Sequence, residues 1–147
     1  EHGLRLQVSY FSETGSPIQI NALNQGESFY AMFEVNNNAS LKLNNLALTQ
    51  LFPSGWEIEN LRLNNEEIPS WLSAHEFKTA THFDMRDDKV SWFFNMEEYE
   101  KSAKFFIKVN AVSSGEFYLP PSLVEAMYNR KYHAVKAGKN IKVKLKQ

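Results

Sequence analysis

The chain predicts an all-β fold, an antiparallel β-sandwich of immunoglobulin or fibronectin character, on three observations. Apolar residues alternate with polar ones over several short runs, the period of a strand with one buried face. Turn-forming residues punctuate those runs every ~8 to 12 positions, the spacing of a sandwich. Aromatic residues make up 14% of the chain, led by eleven Phe, and side chains of that shape suit a pleated, half-buried surface. Seven or more strands are expected. No alternation of strand with helix supports a parallel sheet. The lack of cysteine removes the Cys…Trp…Cys pattern of an antibody-type domain.

The elements follow in order. Leu4, Leu6, Val8 and Tyr10 alternate with Arg5, Gln7 and Ser9 in a first strand, and "SETGSP" ends it with turn residues. Phe29, Ala31, Phe33 and Val35 repeat the pattern after "NQGES", and "NNNAS" closes it. "LALTQLFPSG" is a third strand stopped by Pro53 and Gly55, since proline cannot donate to a ladder and glycine permits the turn. "WEIENLRL" alternates Trp56 and Ile58 with a phase slip at Asn60 before Leu61 and Leu63, which reads as a bulge or irregular connection. The stretch from Asn64 to Lys78 is the least regular, with room for one helical turn after Pro69. "THFDMRDDKVSWFFNM" reads as a hairpin with "RDDK" at its tip. "KFFIKVNAV" is a strand, "SSGE" a turn, and "FYL" opens another strand before Pro120 and Pro121. In "KNIKVKLKQ" the lysines alternate with Ile141, Val143 and Leu145, a strand with one solvated face.

At 147 residues the chain fits a single domain, 1–147, since a chain of this size buries about 70% of its unfolded surface. The net charge of −1 offers no general attraction to nucleic acid. No run approaches the ~18 apolar residues of a membrane span, and "EHGLRLQVSY" lacks a signal-peptide pattern. A start so close to the first strand fits a piece of something longer.

Familiar chemistries find little support. Asp84, Asp87 and Asp88 sit among Arg86 and Lys89, a hairpin tip with local ion pairing rather than EF-hand spacing. His2, His75, His82 and His133 are scattered singly, without metal-ligand spacing. Glu66–Glu67 and Glu97–Glu98 are neighbours in sequence only, which is no evidence of a shared catalytic cleft. Neither a nucleophile elbow nor a phosphate-binding glycine loop is present, and no enzyme activity, metal or cofactor is expected. "NAS" at Asn38 matches the glycosylation triplet, a short pattern common by chance.

"FYLPPSLVEAMYNRKYHA" reads as a loop carrying two alternatives. Ser122 with Glu125 three residues on forms an S-x-x-E capping box, which would start one helical turn. Leu123, Val124, Met127 and Tyr128 then either pack back on their own sandwich or dock on a neighbouring domain, with Arg130 close by. A separate reading, a free-standing carbohydrate or adhesion module, would need exposed aromatics from Trp56, Trp71 and Trp92.

"LFPSGWEIEN", "DMRDDKVSWFF" and "NAVSSGEFYLPPSLVEAMYNRKYHA", in that order, together resemble the C-terminal macroglobulin-like domain of bacterial alpha-2-macroglobulins. The opening "GLRLQVSYFSETGSPIQI" is similar to that family's start, so the likeness covers nearly the whole chain. Trp56 stands where the family often has Phe, and Ser113–Ser114 where it has Thr-Pro. The resemblance implies a macroglobulin-type sandwich, the C-terminal piece of a large periplasmic or cell-envelope protein that traps proteases, with a lipoprotein anchor on the parent left open. Its partners would be other domains of the parent, above all a thioester domain where one exists, and proteases through the parent. It further implies that Tyr128 of "EAMY" shields that thioester from water, with Glu125, Met127 and Arg130 as the remaining docking residues.

Overall fold

The computed structural model describes residues 3–59 and 68–145. Its strands are β1 (Leu4–Ser12), β2 (Leu23–Asn24), β3 (Ser28–Asn37), β4 (Leu43–Leu51), β5 (Trp56–Glu59), β6 (His82–Met85), β7 (Lys89–Met96), β8 (Ser102–Ala111), β9 (Gly115–Leu119), β10 (Ser122–Ala126), β11 (His133–Lys136) and β12 (Lys139–Lys144). A 3₁₀ turn at Ile20–Ala22 and one short helix, α1 (Ser70–Ser73), complete the described elements. A four-stranded sheet in the order β1-β3-β8-β5 faces a five-stranded sheet in the order β11-β10-β4-β7-β6. This is the all-β sandwich expected. A small third sheet, β2-β12-β9, closes one end, and its β2–β12 pairing is parallel where the sequence pattern foresaw antiparallel pairs alone.

The alternation read in the sequence fixes which way each strand faces. Phe29, Ala31, Phe33 and Val35 of β3 and Phe105, Ile107 and Val109 of β8 point inward and are buried. They meet Leu46 and Leu48 of β4 and Trp92, Phe94 and Met96 of β7 from the other sheet. The rings interlock: Phe33 lies 5.3 Å from Trp92, Trp92 stacks 5.3 Å from Phe105, and Phe94 sits 4.8 Å from Phe105. Such aromatic pairs add about 0.5–1.5 kcal/mol each beyond the burial of their area.

A second cluster lies outside the four-stranded sheet. Tyr30 and Met32 of β3 and Phe106 of β8 face outward, and the connection carrying Ile68, Trp71, Leu72 and Phe77 covers them. The sequence left room for a helical turn after Pro69, and one forms there as α1, whose Leu72 and Ser73 amides bond the Pro69 carbonyl. The Trp71 indole N–H donates to the Glu13 carbonyl at 2.8 Å, and its ring abuts Phe11 and Tyr30, both at 5.6 Å. The phase slip at Asn60, Leu61 and Leu63 and the Glu66–Glu67 pair lie outside the described residues.

The β6–β7 hairpin forms as expected, closed by the Arg86 amide on the Lys89 carbonyl at 2.8 Å. Asp84 pairs with Arg86 Nε at 3.4 Å across an exposed tip. In β12, Ile141 and Val143 are buried while Lys142 and Lys144 face water.

The Pro120–Pro121 pair differs from expectation. No helical turn follows it; Ser122–Ala126 is a strand. Proline offers no N–H to a ladder, so the chain leaves β12's sheet after β9 and enters the five-stranded sheet as β10. The Ser122 hydroxyl donates to Gln50 Oε1 of β4 and is unavailable as a helix cap. Gln50 Nε2 in turn donates to the Leu51 and Pro120 carbonyls at 2.6 and 3.0 Å.

Phe33→Ala should cost about 3–5 kcal/mol, the usual loss for a buried ring in a core that cannot fully collapse, read as a lower urea midpoint at unchanged slope. The Glu100 carboxylate accepts the Glu97 amide at 3.0 Å and Lys78 Nζ at 3.0 and 2.8 Å. The Glu97 hydrogen bond first, then that of Lys78, holds its pKa below the ordinary 4.5. A carboxylate whose pKa falls on folding stabilises above the unfolded value, and that contribution fades as pH drops through the folded one. Stability should therefore decline below the ordinary value of 4.5, and Glu100→Gln should flatten that part of a pH-resolved denaturation series.

Candidate functional site

The segment singled out by its composition forms the β10–β11 hairpin, and its turn carries three of the four candidate residues. Pairing of Glu125 with His133 ends the ladder, and the Ala126 amide then bonds the Tyr132 carbonyl at 2.9 Å. Inside this closure the Asn129 amide reaches the Ala126 carbonyl at 3.2 Å and the Tyr132 amide the Asn129 carbonyl at 3.1 Å. His133 Nδ1 lies 2.9 Å from the Arg130 carbonyl. A turn tied this often to itself is ordered without help from its exposed side chains.

Its attachment to the sheet runs through a bulge. The β4–β7 register moves from Leu43↔Met96 to Leu46↔Phe94, so Asn44 and Asn45 together oppose Asn95, the count that defines a β-bulge. Asn45 takes φ 57°, a left-handed conformation that Asn adopts more readily than most residues. Its amide donates to Asn95 Oδ1 at 2.8 Å, and its carbonyl accepts the Met127 amide at 3.0 Å. Sequence reasoning missed Asn45, whose only signal is an Asn-Asn pair inside a strand pattern.

Tyr128 is 85% exposed and Met127 37%, and Arg130 is also exposed. Glu125 stands apart from these three, half-buried in β10 between His133 and Ala47 of the flanking strands. Tyr132 turns the other way and packs against the main core, with Lys131 Nζ 5.2 Å above its ring. The two sequence alternatives therefore divide within one hairpin: Val124 and Tyr132 pack inward, while Met127 and Tyr128 project into solvent.

Elsewhere the expected candidates are absorbed into structure. Trp56 and Trp92 are 4% and 6% exposed, so neither presents a ring for sugar stacking, and Trp71 is half-buried against Phe11 and Tyr30 with its indole N–H on the Glu13 carbonyl. Among the described residues no cluster of three or more His, Cys, Asp or Glu is placed to hold a metal.

The model of the bacterial alpha-2-macroglobulin MG10 domain matches residues 3–131, a span that ends within the β10–β11 turn. An alpha-2-macroglobulin homolog of Yersinia pestis is 28% identical over 94% of this chain. The chain spans only 8% of that relative's length. Escherichia coli alpha-2-macroglobulin activated by porcine elastase superposes with a TM-score of 0.83 at 20% identity, over 98% of this chain and 13% of that one. A native fragment of the Escherichia coli protein running from domain MG7 to the C-terminus gives 0.78 at 21% identity, over 97% of this chain and 23% of that one.

The geometry separates stability from exposure in one hairpin. Tyr128→Ala should leave stability within about 0.5 kcal/mol, as for other surface substitutions without a packing role. Ser122→Ala should cost about 1–3 kcal/mol, because the buried Gln50 amide oxygen loses its donor. Urea unfolding of the two variants side by side checks both.

Proposed function

This chain belongs to the bacterial alpha-2-macroglobulin MG10 domain family, and from that premise we propose that it is a non-catalytic domain near the C-terminus of a protease trap, docking on a neighbouring domain through its β10–β11 turn. The observation that carries the reading is Tyr128, 85% exposed on a turn held by its own backbone hydrogen bonds. A tyrosine brings a large rigid ring at small entropic cost and one hydroxyl that seeks a partner. Holding it ready in the free domain lowers the cost of binding. Met127 extends the apolar tip, and Arg130 and Glu125 supply charges at its border.

The protease-trapping role rests on the parent. One solved relative is described as activated by elastase, and the present chain is a small fraction of such proteins. A macroglobulin domain contributes position rather than bond chemistry. The chain contains no cysteine, so any thioester of the parent lies in another domain, and Tyr128 would act there by excluding water from a strained bond. In a parent without a thioester the same turn is a plain interdomain contact. A periplasmic or cell-envelope location, with the parent open to being a lipoprotein, belongs to the same proposal; no described helix is long and apolar enough to cross a membrane.

In the full-length, thioester-bearing parent, Tyr128→Ala should speed the loss of amine-reactive thioester about tenfold, equivalent to ~1.4 kcal/mol of lost protection. Thiol release over time, measured in buffer without protease, reads this out. An unchanged rate in a folded variant would sink the shielding role.

A further inference from the structure

The two outer faces of the sandwich are unequal. Outward apolar residues of the four-stranded sheet, Tyr30, Met32 and Phe106, lie under α1 and its flanks. On the five-stranded sheet the register places Val135, Leu123, Thr49, Ser91 and Asp84 in one row, and His133, Glu125, Ala47, Phe93 and His82 in the next. Leu51 continues this apolar surface at the end of β4. Val135 and Leu51 remain 46% and 42% exposed, and Leu123, Ala47 and Phe93 are half-buried. One carboxylate, Glu125 on β10, stands within the face; the remaining charge borders it, with Arg130 and Lys131 at the turn and Asp84, Arg86 and Lys89 around the β6–β7 tip. Apolar side chains left partly open among small polar ones and bordered by charge are the composition of an interface between domains.

We propose that the outer face of the β11-β10-β4-β7-β6 sheet is a docking surface covered by an adjoining domain of the same parent polypeptide. The proposal rests on the turn reading above and extends it, because β10 and β11 carry both the turn and the face. Size argues for this occupant. Five strands ~4.8 Å apart and about five residues of ~3.4 Å each give a face of roughly 400 Å², hence about 800 Å² when two such surfaces meet. That falls within the ~600–1,500 Å² of contacts between domains of one chain and below the ~1,200–2,000 Å² of a stable complex between separate proteins. Length argues the same way, since relatives of this chain are more than ten times longer than the region they share with it. The partner surface is expected to be apolar where it meets Val135, Leu123 and Leu51, with a hydrogen-bond donor facing Glu125 and an acidic group facing Arg130 and Lys131.

Cysteine accessibility in the full-length parent tests this, with maleimide labelling read peptide by peptide so that native cysteines do not interfere. Val135→Cys and Leu51→Cys report the face, Asn129→Cys reports the turn, and Ser114→Cys, exposed in the β8–β9 connection, is the reference. Both face positions should label at least tenfold more slowly than Ser114→Cys. Slow labelling at the face with fast labelling at Asn129→Cys would uphold the face and remove the turn reading. Slow labelling at Asn129→Cys with fast labelling at both face positions would overturn the face alone, and fast labelling at all three would overturn both. Protection that vanishes on dilution would overturn the interdomain assignment in favour of a second copy of the protein.

Discussion

The aromatic layer trapped between β3–β8 and β4–β7 is the constraint on which the domain depends. Phe33, Trp92, Phe105 and Phe94 touch in sequence across the two sheets, so each strand's register is tied to that of the strand opposite. A one-residue slip in β3, β7 or β8 would turn its rings to solvent. The layer extends to Phe29 and Trp56, whose rings meet at 4.9 Å, and there it carries a cost: the Trp56 indole N–H is buried without a hydrogen-bond partner among the described residues. Ring packing outweighs one unsatisfied donor at this point. The β10–β11 hairpin inherits its position from that core, because β10 is placed by pairing with β4.

Polar contacts then determine how the periphery is fastened. Gln50 and Ser122, both nearly inaccessible, link β4, β10 and the proline corner through bonds that close on one another. A buried network of this kind favours one register, since leaving any member unmatched costs the full desolvation of that group. The proline pair works with it. Without a ladder donor at either position, β9 cannot run on into β10 as one straight strand, and the chain is released to a different sheet.

Strands whose faces differ in polarity were legible in the sequence. Leu4–Tyr10, Phe29–Val35 and the lysine-alternating β12 declare their buried sides by composition alone, and the family-like motif order identified the domain. β10 was not legible, because S-x-x-E and two prolines are local helix-start signals while the partner that claims Ser122, Gln50, lies 72 residues away. The bulge at Asn45 was hidden for the same reason, its cause being Asn95 on another strand. Parallel β2–β12 pairing joins residues from opposite ends of the chain, which no local period reports. For the candidate site, the exposure of Tyr128 was an open alternative until the hairpin showed Val124 and Tyr132 taking the core contacts.

The two outer faces of the sandwich differ in what covers them. Trp71 and Leu72 occupy the apolar outer patch of the four-stranded sheet, so that side covers its own apolar residues. The five-stranded sheet has no comparable cover among the described residues, although its outward Val135, Leu123 and Leu51 are as apolar as side chains elsewhere taken inside. The hydrophobic effect acts on both faces alike, at about 25 cal/mol per Å² of apolar surface removed from water. The difference must therefore lie in what is available to cover them, and a surface left open beside an ordered, tyrosine-bearing turn is the arrangement expected where the covering element belongs to another domain.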